Sequence, residues 1–334
     1  MAGFAEGVAG PRAAPGAGTS GHTLRSLAIV PGVRAMPHTT TITAMTPSLA
    51  AVRTALLDWY AVAHRDFPWR RTSDPYAVLV SEVMLQQTQA SRVAERFPRF
   101  IDRFPSAEAL ASATDADVLA EWSGLGYNRR ALALHRAARA VVSDGWPKDL
   151  AGLQRLPGVG PYTARAIASL AFCQPLGVVD TNVRRWLLRR FAVEDRPAAL
   201  QALADALAAP GADGSAAAWT HATMEFGAGI CTSRAPACGI CPIRDDCPSR
   251  DRAGRIAVPR QATFAGSTRA ARGRLLRALS EAPGHRMQLR AAHELLDGTL
   301  DRVIDGLEED GLVHRSGRSL KLGGRPAEQP TIGP

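Results

Sequence analysis

The chemistry this sequence advertises rests on two carboxylates and four cysteines. Helical spacing puts Glu82 on one arc with Val78, Leu79, Val83, Leu85 and Gln86, in the middle of an apolar face. A carboxyl held there has its pKa raised by loss of solvent, which suits a general acid at neutral pH. Pairing with a buried arginine, or a solvent-facing helix, would be the plainer uses of such a residue. Asp180 follows Val178-Val179 and precedes Thr181-Asn182-Val183-Arg184. It reads as a helix N-cap, a role that does not exclude chemistry. One protonated and one ionised carboxylate are what cleavage of a glycosidic bond through an oxocarbenium-like state requires.

Four of the five cysteines fall in one short segment, Cys231-x6-Cys238-x2-Cys241-x5-Cys247, among glycine and proline. The chain opens without the basic start and apolar stretch of a secretory signal, so a reducing, cytoplasmic setting is expected and disulfides are disfavoured. Four clustered thiolates suit tetrahedral zinc or an iron-sulfur cluster, and the spacing leaves that choice open. Cys173, at an apolar helix end, reads as an ordinary buried thiol.

A third candidate is Leu156-Pro157-Gly158-Val159-Gly160-Pro161-Tyr162-Thr163. Two glycines let the backbone approach a ligand closely, and Pro161 pre-sets the first turn of a following helix. Free amides at that turn would face an anion, although a plain helix-helix connection uses the same residues. Arg155, Arg165, Arg184 and Arg185 lie near it in sequence and favour a nucleic-acid backbone.

The elements that must position these groups are helices. Apolar residues recur at helical spacing over 47–64, 75–89, 91–103, 106–112, 115–122, 128–143, 148–155, 161–172, 182–191, 197–208 and 215–229. Ser73-Asp74-Pro75 supplies a cap and a first-turn proline for the second of these. No β-branched alternation of useful length interrupts them, so the fold class is all-α. Residues 1–45, rich in Gly, Ala, Pro, Ser and Thr, are expected to be disordered, with the working protein starting at Met45. A helical core over 46–250, a linker over 251–268, a small winged-helix-like domain over 269–323 and a disordered tail over 324–334 complete the expected organisation. At 334 residues with Lys+Arg 40 against Asp+Glu 31, the chain can build a sizeable core and carries a positive balance fitting a polyanion. No apolar run is long enough to span a bilayer.

Taken together, Ser81-Glu82-Val83-Met84-Leu85-Gln86-Gln87-Thr88-Gln89, Gly124-Leu125-Gly126-Tyr127, Leu156-Pro157-Gly158-Val159-Gly160, Val179-Asp180-Thr181-Asn182-Val183-Arg184-Arg185 and the four-cysteine loop closely resemble the MutY-type adenine DNA glycosylases of the helix-hairpin-helix superfamily. The match runs in order from Leu56 to Pro248. It implies a two-lobed helical core, with a six-helix lobe over 71–172 and an iron-sulfur lobe from 46–70 and 173–250. It further implies a 4Fe-4S cluster on Cys231, Cys238, Cys241 and Cys247, and a monovalent cation at the hairpin. The implied substrate is double-stranded DNA containing adenine mispaired with 8-oxoguanine or guanine, flipped out of the stack by a monomeric enzyme. By the same resemblance Glu82 protonates the base, Asp180 stabilises the sugar cation, and Tyr162 stands beside them. Gln87, Thr88, Leu125 and Tyr127 would engage the duplex around the orphaned base, while Trp69, Arg70 and Glu225 would line the adenine pocket. Gly158, Val159 and Gly160 would grip a phosphate through the backbone.

Only Lys148 and Lys321 are lysines. The related endonuclease III carries a lysine where this chain has Tyr162, and its amine cleaves the strand through a Schiff base. Arginine cannot replace it as a nucleophile, so base removal without strand cleavage is expected. The tail departs from the family's β-rich, Nudix-like C-terminal domain. Three helical patterns followed by two short strands read instead as a winged helix, with Arg315 and Arg318 on phosphates or with a plain packing role.

Overall fold

The computed structural model describes residues 46–209, 215–250, 266–296 and 300–324. The expectations for 1–45 and for 325–334, and most of the linker, lie outside the described residues. Eleven helices form the core: α1 (Thr46–Ala63), α2 (Pro75–Leu85), α3 (Ala90–Arg103), α4 (Ala107–Ser112), α5 (Asp115–Glu121), α6 (Arg129–Asp144), α7 (Leu150–Arg155), α8 (Pro161–Leu170), α9 (Thr181–Phe191), α10 (Pro197–Ala208) and α11 (Ala216–Gly229). Their starts follow local chemistry. Asp74 accepts the amides of Tyr76 and Ala77, and Ser106, Thr114 and Asp149 cap α4, α5 and α7 in the same way. Each such cap contributes about 1 kcal/mol.

Two apolar cores make the two lobes. In one, Phe100, Trp122, Leu134, Leu153 and Ile167 of α3 to α8 pack together. In the other, Leu56, Trp186, Leu187 and Phe226 join α1 to α9 and α11, with Ile243 of the cysteine loop beneath them. Burying each of these side chains contributes roughly 1.5–3 kcal/mol. The chain therefore leaves the second lobe after α1, builds the first, and returns.

α2 departs from its amphipathic reading. All nine residues from Tyr76 to Met84 are buried, so the helix runs through the interior and Glu82 has protein on every side. It also stops at Leu85 instead of Gln89, because Gln87 turns into the left-handed region at φ 57°. Cys173 is a second correction: it is exposed, in a left-handed turn at φ 53° that ends the α8 segment.

The C-terminal residues form α12 (Thr268–Glu281), β1 (Arg286–Gln288), α13 (Leu289–Leu296), α14 (Leu300–Glu309), β2 (Val313–Ser316) and β3 (Ser319–Leu322). The strands are antiparallel in the order β1-β3-β2, with Arg286 opposite Lys321 and Val313 opposite Leu322. Leu275, Leu279, Ile304 and Leu307 belong to the same continuous core as α3 to α8, so these helices and strands are seated on the first lobe. Ser280 donates a hydrogen bond to Ser123 at 3.3 Å across that seat. At the tip, Arg315 follows the packing alternative. Its guanidinium pairs with Asp305 at 2.7 Å and with Glu308, while Arg318 stays exposed.

Candidate active site and iron-sulfur module

Glu82, Tyr162 and Asp180 come from three separated segments and meet. Tyr162 enters from the first turn of α8, with its hydroxyl beside the Glu82 carboxyl and favouring its charged form. Burial drives Glu82 up to about 7, the Tyr162 hydroxyl opposes the shift, and the Asp180 charge adds to it. Its Oε2 is buried and has no hydrogen-bond partner. Burial holds the Tyr162 phenol well above its ordinary value, so it stays neutral.

Asp180 caps α9. Its Oδ1 accepts the Val183 amide at 2.6 Å, and its Oδ2 accepts the Asn182 side-chain amide at 2.8 Å. Burial raises this carboxyl also, but the Val183 and Asn182 bonds and the Arg185 charge all favour the ionised form. Arg185 donates to Asn182 Oδ1 at 2.9 Å and to the Cys231 carbonyl at 2.7 Å. A continuous hydrogen-bonded run thus links the cysteine loop to Asp180. Nothing in residue spacing alone announces that run, since it joins α9 to the end of α11.

The second group sits on α11. Glu225 accepts Arg65 Nε at 2.5 Å and Arg70 Nη2 at 2.7 Å. Burial pushes its carboxyl up, and the bonds from Arg65 and Arg70 outweigh that, holding it below the usual value. His221, one turn earlier, is driven down to about 3 by burial and by the Arg70 charge, and is neutral at pH 7. Neither Arg65 nor His221 stands out in the sequence. Met224 joins this cluster to the first, with its sulfur 4.0 Å from the Tyr162 hydroxyl. Trp69 is buried, stacked on Phe67 at 4.7 Å and edge-on to Phe97 at 6.1 Å, so it forms a wall of the core.

Gln87 and Tyr127 lie exposed on adjacent loops, both with left-handed backbone, at φ 57° and 47°. Arg130 clasps the two loops together. Its guanidinium donates to Val83 O at 2.8 Å, Met84 O at 3.0 Å, Gln86 O, Thr88 Oγ1 at 3.0 Å and Gly126 O at 3.0 Å, and lies 5.5 Å from the Tyr127 ring. Arg130 thus holds the Thr88 hydroxyl, and the Leu125 side chain is buried in the core. In the hairpin, Gly158 has φ 80° and an added Cβ would meet Ala133 Cβ at 2.8 Å. The Val159 side chain is buried and its amide is spent on Leu156 O at 3.0 Å, whereas open space surrounds Gly160. The amides left for an anion are those at Gly160 and the start of α8.

All four loop cysteines line one recess with Trp186, Arg189 and Ile243. Burial pushes the Cys241 thiol up to about 11, and neighbouring thiols add to it, a penalty that metal ligation removes. Four thiolates around one recess supply the all-sulfur donor set that an iron-sulfur cluster takes.

The family model for the HhH-GPD superfamily of base excision DNA repair proteins matches residues 80–209, and that for the iron-sulfur binding domain of endonuclease III matches residues 231–247. A solved thermostable thymine-DNA glycosylase superposes with a TM-score of 0.58 at 29% identity, covering 63% of this chain and 99% of that one. Fold and loop together define a helix-hairpin-helix DNA glycosylase carrying an iron-sulfur cluster. The adenine DNA glycosylase of Mycolicibacterium smegmatis is 43% identical over 288 residues, 81% of this chain and 98% of that protein. The human adenine DNA glycosylase is 40% identical over 237 residues, 66% of this chain and 43% of that protein. The chain belongs to the adenine DNA glycosylase family, enzymes of base excision repair. Among the described residues no helix is long and apolar enough to cross a membrane.

Proposed function

We propose that this enzyme removes adenine mispaired with 8-oxoguanine or guanine in duplex DNA and leaves the strand intact. The observation that carries this reading is the buried Glu82, poised near neutrality beside Tyr162 and Asp180. In that pair the proton belongs on Glu82. Asp180 is surrounded by donors that favour its charge, whereas Glu82 keeps one oxygen unpartnered. Glu82 gives its proton to N7 of the extruded adenine, the bond from N9 to the sugar C1′ breaks, and the neutral base leaves with the bonding electrons. Asp180 faces the cationic sugar that remains, and water adds at C1′ to give an abasic site, returning one proton. Gln87 and Tyr127 enter the duplex, and Arg70 and Glu225 face the base. Gly160 and the α8 amides hold a phosphate, with a monovalent cation at the hairpin carbonyls.

Cys231, Cys238, Cys241 and Cys247 hold a 4Fe-4S cluster whose contribution is to cross-link the loop through iron-sulfur bonds. Tyr162 is no substitute for a Schiff-base lysine, so no strand is cut. We place the enzyme in the cytoplasm as a monomer. The test is incubation with duplexes carrying A opposite 8-oxoguanine, A opposite G, or T opposite G, followed by alkali to reveal abasic sites. Breakage at adenine in the first two, only after alkali, is the expected result. Release of thymine without adenine would place the chain with the thymine-DNA glycosylase it resembles in fold.

A further inference from the structure

We propose that the cleft between α3, α5 and α12 is a second backbone-binding groove, which takes the phosphodiester chain of the duplex flanking Tyr127. The proposal rests on the reading of this protein as a duplex DNA enzyme.

The cleft has a volume of about 540 Å³ and is open to solvent. Arg96, Arg99 and Arg103 form one row along α3, and Arg277 faces them from α12. The spacing of that row, three then four residues, puts all three on one helix face. Asp117, Glu121, Glu281 and His285 line the same cleft. The lining holds four arginines against three carboxylates, and few of them form close ion pairs. Asp117 reaches only Arg103, at 3.9 Å, and is also bonded by Thr114. Arg96, Arg99 and Arg277 meet no carboxylate among the described residues, although surface arginines here commonly do, as Arg184 with Asp195 and Arg315 with Asp305. The His285 Nδ1 is buried without a hydrogen-bond partner. Three free guanidinium forks across a solvent-filled cleft match the oxygens of successive phosphates.

Position supplies the second argument. Gly124 forms part of the cleft wall, and an added Cβ there would meet Arg96 Nη2 at 3.0 Å. Tyr127 lies three residues on, 46% exposed. Ser280 on the opposite wall bonds to Ser123. The C-terminal arrangement thereby completes a cleft that reaches toward the exposed loop, while Arg315 at its tip is paired internally.

The test is the salt dependence of binding to an A-containing mismatch duplex, for the full chain and for Arg99→Ala, Arg277→Ala and their combination. Both side chains are exposed, so the melting temperature should hold. Each removed phosphate contact lowers the slope of log K against log salt by about 0.9, and weakens binding to every sequence alike. Excision rates at saturating enzyme should match the parent. Arg290→Ala, an exposed arginine on α13 outside the cleft, should change the slope less than either. An unchanged slope and affinity in the double variant, or an equal loss in Arg290→Ala, would overturn the groove. Adenine release by the parent is scored in the same reactions, so a failure of the functional reading is seen separately.

Discussion

The Tyr162 hydroxyl lies beside the Glu82 carboxyl in a closed interior and lowers the pKa of a group which burial otherwise raises. The acid is thus held near neutrality by two opposed effects, so its titration should be visible both in rate and in stability.

Base release should fall as pH rises through about 7, where Glu82 loses its proton. Glu82→Gln should lose a factor of about 10²–10⁴ in single-turnover rate. Stability of the parent should fall over the same range. A carboxyl whose pKa is raised from 4.5 to about 7 in the folded state contributes fully below pH 4.5, and that contribution is lost as pH rises through 7. The variant should therefore melt higher than the parent near about pH 8, by a margin worth about 3 kcal/mol at most, with little difference near about pH 5. Equal melting at both values would mean that Glu82 is not strained by burial.

Replacing Tyr162 separates two of its properties. Tyr162→Phe removes the hydroxyl that lowers Glu82, so the alkaline limb of the rate profile should shift upward. Tyr162→Lys places an amine beside Glu82 and Asp180, and should yield a covalent enzyme-DNA product after borohydride treatment, with strand breaks appearing before alkali. A variant that gives neither product would show that Tyr162 does not reach the sugar.

Arg130 positions the Gln87 and Tyr127 loops through its fork of donors. Arg130→Lys keeps the charge and loses the fork, and should lower affinity for mismatched duplex about tenfold, some 1.4 kcal/mol. The loss should not add to that of Tyr127→Ala in a double-mutant cycle, since both act through one loop. Additive losses would show that Arg130 acts elsewhere.

Loss of the cluster should reach Asp180 through Arg185 and Asn182. Cys241→Ser should abolish the visible absorbance near about 400 nm expected of an iron-sulfur protein. Arg185→Leu should keep that absorbance and reduce excision, because Asn182 loses its orienting partner. If absorbance and activity fall together in Arg185→Leu, the arginine serves the loop alone.

Much of this protein is local enough to be read along the chain. Helix starts at Asp74, Ser106, Thr114, Asp149 and Asp180 are set by side chains bonding amides two or three residues on. The cysteine loop and the glycine hairpin are likewise short-range, so their residues name themselves. What spacing could not decide is which surfaces end up inside. α2 looks amphipathic in sequence but is buried all round, because α3, α6 and α8 close over it, and only that enclosure raises Glu82. Arg65, His221 and Arg130 have no local signature, since their partners lie on segments far away in the chain or on other loops. Cys173 erred the other way, turned to solvent by a left-handed backbone, while of the two roles open to Arg315 only the fold's internal ion pairs select packing. Residue types thus set which groups could carry charge or metal, while their pKa values, partners and reach came from long-range packing, because desolvation and ion pairing depend on whatever the fold brings within a few ångströms.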